Sequence, residues 1–268
     1  MKNFQSNIGL YLLTLLVFGI MGRANGQSDV PLTAQQIFRK VIEYYDPKGR
    51  WDTFRGEMTT YNIEEAHGSP HAWYNDIILD NENNFYQTIM KSNDSILSTG
   101  IFQGKVFWEI DGKEATEDMY DNLMFKEQTV RMMKEHFNFH FSIPLTLHSA
   151  GGVPDETVER KNVLNRDAYV IRFSEIPGMM EDGWYKGSVE LFVDTERFSL
   201  LGAYWDIEFA GGLTNYFFGE IIIDEIKVPQ MRVFFNMEDT SYRQSDVFYP
   251  GLLYRDYIAD HDPQNSIR

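Results

Sequence analysis

The chain of 268 residues contains no cysteine. That excludes a disulfide framework, thiol catalysis and thiolate-held metals, and it leaves no residue to carry a lipid anchor behind a leader segment. Basic residues are scarce: 24 Lys and Arg stand against 40 Asp and Glu, a net charge of −16. Nucleic acid and anionic lipid surfaces repel a chain of that sign, so no nucleic-acid partner is expected. Long apolar runs are scarce too. The one that stands out, Ile8 to Met21, is 14 residues, short of the roughly 20 that a spanning helix needs. Catalytic fingerprints are missing as well. The sequence shows no G-x-S-x-G elbow, no phosphate-binding loop and no H-E-x-x-H pair, and it implies no cofactor.

The apolar run has a meaning of its own. Lys2 is the only basic residue ahead of it, and "RANGQ" follows, with Ala24 and Gly26 spaced as a signal peptidase requires. Residues 1–26 are therefore expected to be a secretory signal cleaved after Gly26, with no transmembrane segment in the remaining chain. The 242 residues that remain, 27–268, carry 22 basic and 40 acidic side chains, a charge of −18. Their expected place is the periplasm or outside the cell. That length suits a single β-rich domain whose core needs no covalent staples. Aromatics supply 15% of the chain, with 20 Phe, 15 Tyr and 5 Trp, which suits a wide core or an apolar cavity. Oligomeric state is left open.

Helical spacing comes first at "PLTAQQIFRKVIEYYDPKG". Thr33 with Gln36 makes a capping box, Ile37, Val41 and Tyr44 give an apolar stripe, and Pro47 and Gly49 end it. From Trp51 the period becomes two. Trp73, Ile77 and Leu79 share a face, as do Val106, Trp108 and Ile110, with turns at 80–84 and 111–113. A second helix is expected from an N-cap at Thr116 to about His140, through Met119, Leu123, Val130, Met133 and Phe137. Pro144, Gly151, Gly152 and Pro154 then predict a loop, where any seam between two halves would fall. Strands resume with Tyr169, Ile171 and Phe173, with Val189, Leu191 and Val193, and with Ala203, Trp205 and Ile207 each on one face. "FFGEIIIDEIKVP" and "QMRVFFN" read as two strands, or as one bent at Pro229, because proline cannot donate to a ladder. The fold class expected is mainly β, a curved antiparallel sheet wrapped around one or two helices.

Three blocks carry a resemblance: "EYYDPKGRWDTFRGEM" (43–58), "HFSIPLTLHSAGG" (140–152) and "FFGEIIIDEIKVPQMRVFFNMEDTSYRQSDVF" (217–248). They resemble a family of uncharacterised exported proteins common in Bacteroidetes, similar in shape to the lipoprotein-carrier superfamily (LolA-like, LppX-like). Ile226 to Pro229 looks like a hydrophobic-x-hydrophobic-P strand of that superfamily, and departs from it at Glu225, where glycine is frequent. The resemblance implies a half-barrel with helices across its concave face, and a lipid or lipoprotein ligand. A Met-rich helix, with Met119, Met124, Met132 and Met133, would be the lid, since methionine fills irregular gaps.

The residues expected to face such a ligand are Trp73, Trp108, Met133, Tyr169 and Trp205, each on an apolar face. No metal site is expected. His136 and His140 sit one helical turn apart, but no Glu follows His136, and a third ligand would have to come from His148, His71 or an acid. "DNENN" lacks the glycine and distal Glu of a calcium loop, so it reads as a hairpin turn, and "NDS" at 93–95 likewise. Two other functions remain open: a hydrolase using His136 or His140 with nearby acids, and a scaffold that binds protein through its outer sheet face or an edge strand.

Overall fold

The computed structural model describes residues 31–66, 69–92, 95–115, 126–175, 188–207, 211–236 and 240–254. The chain divides into two compact units, 1–32 and 33–268, and every element below belongs to the second. The expected signal segment, Asn93, the helix start at Thr116, the methionines at 119 and 124 and the tail from Asp256 lie outside the described residues.

Helix α1, Ala34–Tyr45, starts as the capping box requires: Gln36 N donates to Thr33 Oγ1 at 3.2 Å and Thr33 N to Gln36 Oε1 at 2.9 Å. Ile37, Phe38, Val41 and Tyr45 are its buried stripe, whereas Tyr44 turns to the rim. Asp46 closes the helix by accepting from Arg50 N and Trp51 N, both at 2.8 Å.

Thirteen strands then form one antiparallel sheet. They are β1 Arg55–Ala66, β2 Ser69–Asp80, β3 Phe85–Ser92, β4 Ser95–Phe102, β5 Lys105–Ile110 and β6 Lys113–Glu114, followed after two helices by β7 Val158–Val163, β8 Arg166–Phe173, β9 Val189–Asp194, β10 Leu200–Ile207, β11 Gly211–Ile223, β12 Ile226–Asn236 and β13 Tyr242–Pro250. The order is β6-β5-β4-β3-β2-β1-β13-β12-β11-β10-β9-β8-β7. Two meanders therefore meet where β1 pairs with β13, and the sheet is curved and unclosed, with free edges at β6 and β7. Both edges are guarded in the usual way. β6 has two residues, and Glu159, Arg160 and Lys161 make the middle of β7 charged and exposed.

The helices lie against the inner face. Helix α2, Glu127–Phe141, packs against β4 and β5, and α1 against β8 and β12. Here the structure corrects the sequence reading twice. The helix that reaches Phe141 begins at Glu127, because Lys126 is extended (φ −92°, ψ 132°). The expected loop after it begins with a third helix, α3, Ile143–Ser149, in which Pro144 stands in the first turn and costs no hydrogen bond.

The region of Pro229 is also resolved. β12 runs unbroken through the proline, and the turn lies earlier, at Asp224 and Glu225, both left-handed (φ 45° and 68°). Pro229 faces Glu220 of β11, and the pairing of β12 with β13 reaches only to Met231, so the missing donor is not needed on that side. Gly219, at φ 64°, stands opposite Gln230 in the left-handed conformation that glycine adopts without strain, and the register is the same on either side of it.

Candidate functional site

Strand register decides what faces the helices. Met58 and Ile77 stand opposite each other, then Ile77 and Thr88, Thr88 and Thr99, Thr99 and Trp108. On the other side of the seam, Thr60 faces Phe248, Asn62 faces Asp246, and Asp246 faces Arg232. Over this inner face, α2 buries Val130, Phe137, Phe139 and Phe141. Each buried side chain of this size contributes about 1.5–3 kcal/mol.

The packing leaves a cavity of about 120 Å³ between α2 and four strands. Met133, His136, Phe137 and His140 form the helix wall; Ile77, Tyr86 and Phe248 are the apolar part of the sheet wall; Thr60, Asn62, Asn75, Thr88, Gln244 and Asp246 are its polar part. Asn62 Nδ2 donates to Thr60 Oγ1 at 3.1 Å, and Gln244 Nε2 to Asp246 Oδ1 at 2.5 Å. With the Asn75 amide turned so that its oxygen accepts, it receives Trp73 Nε1 at 3.1 Å and Asn62 Nδ2 at 3.2 Å.

Arg232 lies beside this wall and is 1% exposed. Its Nη2 donates to the carbonyl of Phe141 at the end of α2, while Nε and Nη1 meet no acceptor among the described residues. The guanidinium lies 4.4 Å from the ring centre of Phe248, a cation–π arrangement that offsets part of its lost hydration. Desolvation still lowers its pKa to about 10, against the pull of Asp246. Asp246 is shifted the other way, to about 6, by desolvation first.

The two histidine rings stack along α2 with centroids 3.9 Å apart. His140 is buried among Trp205, Phe234 and Phe139. Desolvation, then His136, Arg232 and Arg243, hold its pKa well below the usual histidine value. His136 is open to solvent at the cavity, yet enclosed by protein on several sides. Desolvation and then Arg243 lower its pKa to about 4. A general base works best with a pKa near the operating pH, and both rings are shifted below it. Among the described residues, no group of three or more His, Asp or Glu is placed to hold a metal.

The five residues expected at a ligand are spread along the inner face. Met133 lines the cavity. Trp205 is fully buried one layer behind it, against Phe139 and His140, with its Nε1 unpartnered. Trp73 is half-buried and reaches the cavity only through Asn75. Trp108 packs with Leu97, Ala115, Met90 and Ile110 in a separate cluster towards β6. Tyr169 stands at the far rim, stacked on Phe198 at 6.5 Å and crossed by Arg160. Sequence reasoning missed Arg232, Asp246, Asn62 and Gln244. Alternation could have placed Arg232, which shares the inner-facing row of β12 with Ile226, Val228 and Phe234; the inner rows of β1 and β13 are largely polar, so Asn62, Gln244 and Asp246 carry no such signal.

Fold and cavity define a class: an open antiparallel half-barrel whose inner face is covered by helices. No family model matches the sequence, and no curated protein is similar to it in sequence. Among solved structures the chain is similar to a LolA superfamily protein from Nitrosomonas europaea, at 12% identity and a TM-score of 0.48, over 85% of this chain and 97% of that one. It is also similar to an outer membrane lipoprotein-sorting protein domain, described as putative, from Vibrio parahaemolyticus, at 11% identity and a TM-score of 0.49, over 85% and 98%. At such identities the likenesses say nothing of ligand or activity.

Proposed function

We propose that the protein is exported by the signal at 1–26 and holds an apolar ligand, a lipid or an acylated protein, between α2 and the inner face of the sheet. The observation that carries this reading is the cavity bounded by Met133 and Phe137 on one side and by Ile77, Tyr86 and Phe248 on the other. At about 120 Å³ it is smaller than the roughly 300 Å³ at which ligand pockets begin. Filling it with a chain therefore requires α2 to lift. Half-buried Met132 and Met133 give that helix side chains that repack at low cost. Each CH₂ transferred from water would contribute about 0.8 kcal/mol.

Native mass spectrometry of the exported protein, purified without detergent, tests this. The expected result is extra mass that matches a lipid and leaves on denaturation. A bare chain that also takes up no added monoacylglycerol overturns the reading.

One observation favours a second reading, a protein-docking surface. On the outer face Phe218, Met231, Val247, Tyr61 and Tyr74 stand opposite one another across five adjacent strands. None is charged, and the two ends of the row are 43% and 44% exposed, in a chain that is 24% charged. Exposed apolar patches of this kind mark interaction sites. Tyr74→Glu would abolish such docking and leave lipid uptake unchanged.

A further inference from the structure

The sheet wall of the cavity is unlike a wall built for acyl chains. Thr60, Asn62, Asn75, Thr88 and Gln244 put five uncharged hydrogen-bonding side chains there. A purely apolar group seated against them would strip their water and strand the donors and acceptors that the wall does not pair internally. The charges whose fields reach the cavity's titratable groups are Arg232, Arg243, Asp246 and Glu64, two of each sign. No net charge is left over to receive an ion. A phosphate, carboxylate or ammonium would exchange its hydration here for uncharged amides and hydroxyls alone, a poor replacement for an ion.

We propose that the cavity takes the uncharged, hydrogen-bonding head of an amphiphile, a hydroxyl, ester or amide, seated on Asn62, Asn75 and Gln244, with its chain leaving past Met133 and His136. This rests on the apolar-ligand reading and adds the class of head group. The space agrees with it. At about 30 Å³ for each water-sized group, about 120 Å³ holds a small polar head and not a chain. Both kinds of head atom can be met, since each amide side chain offers a donor and an acceptor.

The test compares three amphiphiles of one chain length, below their aggregation thresholds, on the exported protein by titration calorimetry: 1-decanoylglycerol, decanoate and decyltrimethylammonium. Decanoylglycerol is expected to bind more tightly than either ion by about tenfold or more, as a site built to pair polar groups discriminates. Gln244→Leu, and separately the near-isosteric Asn75→Leu, should erase that preference while decanoate binding is held. Decanoate or the ammonium binding as tightly as the glyceride would overturn the head-group assignment alone. Failure of all three to bind would overturn the apolar-ligand reading, and the assignment with it.

Discussion

Trp205 shows how much one side chain can carry. It is fully buried and touches Phe139, His140 and Phe234, so it ties β10 to α2 and β12. Trp205→Ala should cost about 3–5 kcal/mol, read as a fall in the urea midpoint at unchanged slope. His140 carries a pH dependence. Its folded pKa is depressed well below the usual histidine value of 6.5, so its contribution is present above that pH and is lost as pH falls. By pH 5.5 the loss from this ring alone should be on the order of 1 kcal/mol. Asp246 acts with the opposite sign. Its pKa is raised from 3.8 to about 6, so its contribution is present at low pH and lost as pH rises through 6. The expected outcome is that His140→Leu reduces the drop in unfolding free energy between pH 7.5 and 5.5, whatever Leu does to packing, which is the same at both. An unchanged drop would show that the ring is not held neutral.

At the scale of elements, the turn between β11 and β12 is the clearest case of local strain with a local remedy. Glu225 sits at φ 68°, where glycine is at ease and other residues are strained by about 1–2 kcal/mol. Lys48 and Arg50 hold its carboxylate at 2.6 and 2.9 Å, but exposed pairs like these are screened by water and contribute little. Glu225→Gly should therefore leave thermal stability unchanged or slightly raised. A marked loss would mean that the ion pairs fix the turn against α1. At the other end of α1, Thr33→Ala should cost about 1 kcal/mol through the lost cap.

The elements were legible in the sequence where a local rule governs. The capping box of α1, the alternating strands and the turns at 80–84 and 111–113 all follow from neighbouring residues. The start of α2 did not, because Lys126 carries no capping signal and the apolar spacing runs on past it. Nor did α3, since Pro144 reads as a breaker until its position in the first turn is known. The site was the least legible. Asp246 and Arg232 come to face each other only through strand register, and register is a property of the whole sheet. The aromatic residues the sequence marks most strongly are spread from Trp108 near one edge to Tyr169 near the other.

For the whole molecule, acidity and topology set the behaviour. A sequence pI near 4.7 keeps the protein soluble near neutrality and exposes it to association near pH 5, where His140 has also ceased to support the fold. If residues 1–26 are removed as proposed, the intact mass of the exported form should correspond to a chain beginning at Gln27; a retained leader would show at once.

The meeting of β1 with β13 sets the order of events in the life of the chain. The first and the last of the described strands are neighbours at the middle of the sheet, joined over Met58 to Glu64. Each meander can form hairpins as it emerges, but neither can complete its central edge until the other is present. The sheet can therefore be completed only when nearly the whole length has been made, and such late, long-range pairing is slow. If the protein is exported as proposed, that delay suits a chain threaded through a membrane before it folds. A chain stopped at residue 240, lacking β13, should reach no protease-resistant state, however many of its other strands it retains.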